Sequence, residues 1–78
     1  MSIDSNQSIQ KQFGANLQKV RMEKGLSLRA LAANCNLDDS NISKIEQGKL
    51  NIQLTTLFEL AHGLEVEAGE LLNFNRKI

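Results

Sequence analysis

The fold is decided by one stretch of the chain, residues 25–48, which reads GLSLRALAANCNLDDSNISKIEQG. Ser27 is a favourable N-cap, because its hydroxyl can accept a hydrogen bond from a free N–H group in the first turn of a helix. Apolar residues then recur at intervals of three and four positions, up to Cys35. This spacing predicts a short amphipathic helix over about residues 28–35.

A second helix is expected after a tight turn. The turn contains Asn36, a residue type that tolerates a left-handed backbone. Asp38 can cap a helix over about residues 39–47. Gly25 and Gly48 stand where helices would end, since glycine is the residue most often found just past a helix C-terminus. The connection of about three residues between the two helices has the length found in helix-turn-helix units.

Three further helices are expected outside this stretch. Their apolar residues recur at helical spacing over about residues 9–24, 54–63 and 68–73. Between the third and fourth helices of the chain, Leu50 and Ile52 are expected to reach the core. The chain is therefore predicted to be all-α, a compact bundle of five short helices.

Composition agrees with this class. The chain has 78 residues, 41% of them hydrophobic and 23% charged, which are values for a single globular domain. It has no Pro, Trp or Tyr and three Phe, so aromatic residues are too sparse for a sheet core. We expect a flexible tail over residues 1–8, a helical domain over residues 9–74 and a C-terminal tail over residues 75–78.

The segments and residue types that mark export are missing from the sequence. Residues 1–8 lack the basic and apolar regions of a signal peptide, and no apolar run approaches the roughly 18 residues of a membrane span. Cys35 is the single cysteine, so it has no partner for an intramolecular disulfide. These features predict a cytoplasmic protein without a membrane partner.

Charge is unevenly distributed along the chain. The formal net charge is zero, which argues against a protein that binds any polyanion through bulk positive charge. Residues 1–50 contain seven Lys or Arg and five Asp or Glu, whereas residues 51–78 contain two and four. Any nucleic-acid surface is therefore expected in the first half.

An ordered string of motifs resembles the Xre family, the phage-repressor-like and Cro-like DNA-binding regulators. The resemblance covers about residues 13–72. It is carried by GLSLRALA at 25–32, NLD at 36–38, NISKIEQG at 41–48, Leu54-x-x-Leu57, Leu60-Ala61, Leu64-Glu-Val66 and Glu70-Leu-Leu72. It implies a lambda-repressor-like domain with its helix-turn-helix at the second and third helices, and double-stranded DNA as the partner.

The third helix suits a reading role on physical grounds. A helix fits the major groove of DNA, where each base pair presents a distinct pattern of donors and acceptors. Such a helix needs apolar anchors on one face and short or polar side chains on the other. Ile42 and Ile45 are the expected anchors.

The resemblance assigns base-reading positions on the other face. Asp39, Ser40 and Lys44 match the family's main base-reading positions, and Asn41 and Ser43 flank them. Lys44 can donate to guanine, Asp39 can accept from the amino group of cytosine, and Ser40 can do either.

Further roles follow from the same resemblance. Arg21 and Glu46 match a pair that in many relatives forms an ion pair between the first and third helices. The expected DNA phosphate contacts are Ser27, the amide of Leu28, Arg29, Gln47, Lys49 and Asn51.

The sequence also departs from the family pattern. Leu28 stands where the family commonly has Gln, so its side chain can neither brace the reading helix nor bind phosphate. Asn36 replaces the usual Gly of the turn, and Asp38 replaces the usual Ser cap. Asp38 and Asp39 suit a helix N-terminus but repel phosphates. We therefore expect weak non-specific binding and strong dependence on base contacts and dimerisation.

The stretches Asn51-Ile52-x-Leu54 and Gly63-Leu-Glu-Val66 are similar to those of restriction–modification controller proteins. Phage, stress and antitoxin regulators share the same scaffold. A regulator of this kind is also expected to meet RNA polymerase.

Apolar residues late in the chain exceed what so small a core needs. Leu54, Phe58, Leu72 and Phe74 are expected to form a two-fold dimer interface. Such a homodimer would place two reading helices about 34 Å apart on a pseudo-palindromic site. In the alternative interpretation, Phe58 and Phe74 simply close the core of a monomer.

Two other function classes are an enzyme and a protein-interaction module. We find no nucleophile–base pair, no phosphate-cradling Gly loop and no set of metal ligands, so no catalytic residue, cofactor or metal is assigned and an enzyme is not expected. The alternative function is a protein-interaction module, such as an antitoxin or adaptor, with little DNA binding of its own.

Overall fold

A computed structural model of the chain describes residues 5–74. Within that range the chain forms five helices and no strand, which confirms the predicted all-α class. The helices are α1 (Ser5–Glu23), α2 (Leu28–Asn34), α3 (Asp39–Glu46), α4 (Leu54–Leu64) and α5 (Ala68–Leu71). The predicted C-terminal tail, residues 75–78, lies outside the described residues.

The limits of α1 and α5 differ from those predicted. Helix α1 begins at Ser5 rather than near residue 9, so residues 5–8 are helical where a tail was expected. Once a helix has formed, each added residue gains a backbone hydrogen bond, and polar residues can extend it without an apolar face. Helix α5 ends at Leu71, two residues earlier than expected.

The core receives side chains from every helix. Helix α1 packs on α3 and α5, α2 packs on α3 and α4, and α4 packs on α5. Burying an aliphatic side chain of this size stabilises a fold by about 1.5–3 kcal/mol. The six fully buried large side chains are Leu17, Leu31, Ile42, Leu60, Leu64 and Leu71.

The loop between α3 and α4 contributes less to the core than predicted. Ile52 packs against the buried cluster, but Leu50 is 36% exposed, so its predicted burial is wrong. Among the described residues, eleven hydrophobic residues of the five helices already form the buried core, and Leu50 does not pack against it.

Helix α3 ends in a Schellman motif, the paired hydrogen-bond arrangement that closes many helices. Gly48 has a φ of 78°, as its predicted role as a stop requires. The N–H of Gly48 donates to the carbonyl of Ile45 at 3.0 Å, and the N–H of Lys49 donates to that of Lys44 at 2.9 Å. These bonds fix the direction in which the chain leaves α3.

Helix α4 ends in the same motif without a glycine. It runs through Gly63 and Leu64, and Glu65 takes the left-handed conformation with a φ of 58°. That conformation costs a residue with a Cβ roughly 1–2 kcal/mol. Gly63 is needed elsewhere, because a Cβ there would lie 3.0 Å from Cδ1 of Leu31 in α2.

Helices α1 and α3 approach each other closely at Gly14. A Cβ at this position would overlap the carbonyl oxygen of Ile45 and would lie 2.5 Å from that of Glu46. Main-chain carbonyls within a helix cannot rotate away as a side chain can. Gly14 therefore sets the distance between α1 and α3, although glycine disfavours a helix interior by about 0.5–1 kcal/mol relative to Ala.

Replacing Gly14 with Ala should lower the free energy of unfolding by about 1–3 kcal/mol, because the added methyl group forces the two helices apart. Urea denaturation would measure the change. Gly69→Ala is the matched control, since a Cβ at Gly69 meets nothing within 4 Å. Its expected effect is neutral or stabilising. Equal effects of the two substitutions would contradict the close-approach interpretation.

Candidate nucleic-acid interface

The surface begins with the cap of α2. The hydroxyl oxygen of Ser27 accepts a hydrogen bond from the N–H of Ala30 at 3.0 Å, as the sequence predicted. Asp38 occupies the N-cap position of α3, but its carboxylate makes no capping hydrogen bond. Asn36 does not adopt the left-handed conformation, since Glu65 is the one non-glycine residue with positive φ in the described part of the chain.

Helix α3 is divided into two faces. Ile42 and Ile45 are buried, with 0% and 3% exposure, which confirms their predicted anchoring role. On the opposite face Ser43 is half-buried and accepts a hydrogen bond from Nε2 of Gln47 at 2.9 Å. The exposed residues of this face are Asp39, Ser40, Asn41 and Lys44.

The predicted phosphate contacts form two groups, one at the start of α2 and one after α3. Ser27, Leu28 and Arg29 stand at the start of α2. Leu28 is half-buried and packs against the core, whereas Ser27 and Arg29 are exposed. The second group follows α3 and is exposed throughout: Gln47, Lys49 and Asn51.

Arg21 and Glu46 form a buried bidentate ion pair between α1 and α3. Nε of Arg21 donates to Oε2 of Glu46 at 2.6 Å, and Nη2 donates to Oε1 at 3.1 Å. Nη1 donates to the carbonyl of Leu26 at 2.7 Å. The side chains of Arg21 and Glu46 are only 10% and 4% exposed. One guanidinium group thus joins α1, the loop before α2 and α3.

Charge along α3 is polarised. The exposed carboxylates of Asp38 and Asp39 lie at its N-terminal end, and the exposed ammonium groups of Lys44 and Lys49 lie toward and beyond its C-terminal end. Because Glu46 is engaged with Arg21, it does not offset these two lysines on the surface.

An exposed apolar patch lies on α4 and the end of α5. Leu54 is 70% exposed, Phe58 57% and Leu72 41%. Phe74, expected in the same surface, is half-buried, and its ring packs edge-on against Phe13 at 6.5 Å between centroids. We call Leu54, Phe58 and Leu72 the apolar patch. Phe74 helps to close the core of the monomer, whereas Phe58 does not.

Two residues that hold the surface in place were not assigned from the sequence. Gly14 sets the α1–α3 distance, and a glycine within an amphipathic helical pattern was an available signal of close packing. Nδ2 of Asn16 donates to the carbonyls of Glu70 and Leu71, both at 2.9 Å, and so ties α1 to the end of α5. No local pattern connects residues 54 positions apart.

Cys35 is half-buried, its thiol donates to the carbonyl of Leu31 at 3.2 Å, and desolvation by burial raises the pKa of the thiol. Among residues 5–74, no cluster of His, Cys, Asp and Glu could hold a metal ion. No helix in this range has the length and apolar character needed to cross a membrane.

Comparison with known proteins gives consistent matches. The profile of the family HTH_3, described as helix-turn-helix, matches residues 17–71, from the middle of α1 to the last residue of α5. The control protein C.MunI of Mycoplasma sp is 40% identical over 62 residues, which cover 78% of this chain and 84% of that protein. The control protein C.BamHI of Bacillus amyloliquefaciens is 33% identical over 63 residues, which cover 80% and 78%.

A solved structure agrees with these sequence matches. The crystal structure of the restriction-modification controller protein C.AhdI from Aeromonas hydrophila superposes with a TM-score of 0.80 at 36% identity. The match covers 82% of this chain and 97% of that one.

Replacing Glu46 with Gln should lower the free energy of unfolding by about 3 kcal/mol, because breaking one side of a buried ion pair leaves the other charge without compensation. Urea denaturation would measure the loss. The matched control is Glu23→Gln, at an exposed position near the end of α1, where a change within about 0.5 kcal/mol is expected. A loss at Glu46 no larger than that of the control would show that the ion pair does not hold α3 in place.

Proposed function

This chain belongs to the helix-turn-helix family and is a DNA-binding transcription regulator, and we propose that it binds a pseudo-palindromic operator as a homodimer with α3 in the major groove. The observation that carries the proposal is the division of α3. Ile42 and Ile45 hold one face in the core, and the opposite face is exposed and polar. A face of short polar and charged side chains on a firmly anchored helix is what reading base edges requires.

The base contacts that we propose follow from the chemistry of three side chains. The ammonium group of Lys44 donates to O6 or N7 of guanine. The carboxylate of Asp39 accepts from the N4 amino group of cytosine, and the hydroxyl of Ser40 can donate or accept. The flanking residues Asn41 and Ser43 complete the reading surface, with Ser43 further fixed by Gln47.

Two groups of phosphate contacts would set the orientation of α3. Arg29 and the hydroxyl of Ser27 lie at the start of α2, and the hydroxyl can still donate to a phosphate oxygen while its own oxygen caps the helix. Gln47, Lys49 and Asn51 lie beyond α3. Phosphate contacts fix register and orientation without carrying sequence information.

The apolar patch is the proposed interface between two copies. Leu54, Phe58 and Leu72 are large hydrophobic side chains with 41–70% exposure in one protomer. A two-fold interface presents the same patch from both subunits and so buries it twice. It would also set the two reading helices about 34 Å apart, one turn of DNA.

The charge of the surface makes both base contacts and a second protomer necessary for tight binding. Asp38 and Asp39 repel the DNA backbone, and the formal net charge of the chain is zero. Non-specific affinity comes almost entirely from neutralised phosphates, so it should be low here. Correct base pairs and a second protomer must therefore supply much of the affinity.

The relatives suggest the biological setting. C.MunI and C.BamHI are control proteins, and C.AhdI is a restriction-modification controller protein. We propose the same role for this chain: a cytoplasmic regulator that acts where its operator meets a promoter, by blocking or contacting RNA polymerase.

Selection from a pool of random duplex DNA at near-physiological salt should recover a two-fold symmetric motif with wild-type protein. Lys44→Ala and Ser40→Ala should relax one position in each half-site, since a good base contact contributes about 1–3 kcal/mol of discrimination. The matched control is Lys19→Ala, at an exposed position of α1 beside Phe74, which should leave the motif unchanged. A wild-type chain that selects no motif would contradict DNA reading and favour a protein-interaction module.

Phe58→Glu should raise the dimer dissociation constant about thirtyfold or more, because truncating an aromatic anchor at an interface costs about 2 kcal/mol or more. Sedimentation equilibrium would measure it. Met22→Glu is the matched control, since Met22 is 64% exposed on α1, away from the apolar patch. A wild-type chain that stays monomeric at tens of micromolar would contradict the proposed homodimer.

A further inference from the structure

We infer that Lys11, in α1, is a further contact to the DNA backbone, held beside the phosphate-binding end of α3 by its packing on Gly48. The inference rests on the proposed DNA binding and extends it to a helix outside the helix-turn-helix. The partner chemistry is a phosphate diester of duplex DNA.

The geometry at Gly48 carries the inference. A Cβ built at Gly48 would lie 2.5 Å from Cγ of Lys11, 2.8 Å from its Cα and 3.0 Å from its amide nitrogen. The backbone and the first part of the side chain of Lys11 therefore pass directly over Gly48. Gly48 stands between Gln47 and Lys49, two of the proposed phosphate contacts. Only a residue without a Cβ permits this approach.

The position of this end of α3 in a complex follows from the docking of recognition helices. Their N-terminal residues contact base edges. Groups just beyond the C-terminal end consequently lie toward the rim of the groove, where the phosphates are. Lys11 and Lys49 share that end of α3.

The charge of Lys11 is available for such a contact. Lys11 is exposed, and it forms no ion pair with any residue in the described part of the chain. The carboxylates that would oppose a phosphate, Asp38 and Asp39, lie at the other end of α3. A lysine ammonium on a flexible stem is a mobile point charge that suits a phosphate oxygen.

This role matters more in this chain than in a basic protein. With a formal net charge of zero, the chain has few uncompensated cations to place against DNA. One further lysine at the C-terminal end of α3 helps to offset the repulsion from the acidic N-terminal end.

The test compares three variants with the wild type: Lys11→Gln, Lys11→Arg and Lys19→Gln. Gln removes the charge while keeping methylene groups over Gly48, and Arg keeps the charge. Lys19 is the matched control, because it is an exposed lysine of the same helix that lies beside Asn16 and Phe74, on the side of α5. Circular dichroism confirms that each variant folds.

The measurement is the slope of log Kobs against log salt concentration, taken on the selected operator and on an unrelated duplex. Lys11→Gln should reduce the magnitude of the slope by about 0.9 for each bound protomer. It should also weaken binding to both DNAs by a similar factor, as loss of a phosphate contact does. Lys11→Arg and Lys19→Gln should keep the wild-type slope.

The outcomes separate the inference from the proposed function. If wild-type protein binds DNA and Lys11→Gln has the same slope as Lys19→Gln, the contact at Lys11 is overturned and DNA binding stands. If Lys11→Arg loses as much slope as Lys11→Gln, the effect comes from packing on Gly48 and the inference is also overturned. If wild-type protein binds neither duplex, the proposed function fails and the inference fails with it.

Discussion

The buried ion pair between Arg21 and Glu46 is the interaction on which the rest of the surface depends. Helix α3 has eight residues, too few to be stable in isolation, so its position must come from the elements that it packs against. Arg21 holds it by two charge-assisted hydrogen bonds and holds the loop before α2 by a third. Gly14 sets the distance between α1 and α3, across which this ion pair forms. Together they make α1 the support against which α3 is oriented.

In the function that we propose, surface charge and exposed apolar area contribute to DNA recognition in different ways. The exposed side of α3 is acidic at its start and basic beyond its end, with a total that gives little general attraction to DNA. In the function that we propose, specific affinity then comes from base contacts made by two protomers. The apolar patch on α4 and α5 is the exposed hydrophobic surface that we propose for contact with a second protomer.

The two surfaces are connected through α1. Arg21 joins α1 to the reading helix, and Asn16 donates two hydrogen bonds to the last carbonyls of α5, next to Leu72. Helix α5 has four residues and cannot hold its own position. A single helix therefore sets the relative placement of the α3 surface and the end of α5.

The sequence alone determined what depends on neighbours along the chain. Hydrogen bonding and helical periodicity within a few residues predict three features: the cap at Ser27, the helix stop at Gly48, and the buried pair Ile42 and Ile45. The structure has all three. The resemblance to a family suggested the base-reading roles that we propose for the exposed face of α3. Only the tertiary structure decided what depends on distant segments: the exposure of Leu50, the packing of half-buried Phe74 on Phe13, and the closeness of Gly14 to α3 and of Lys11 to Gly48. Those outcomes depend on how much space remains between the packed helices. That space cannot be predicted from the sequence pattern of any single segment.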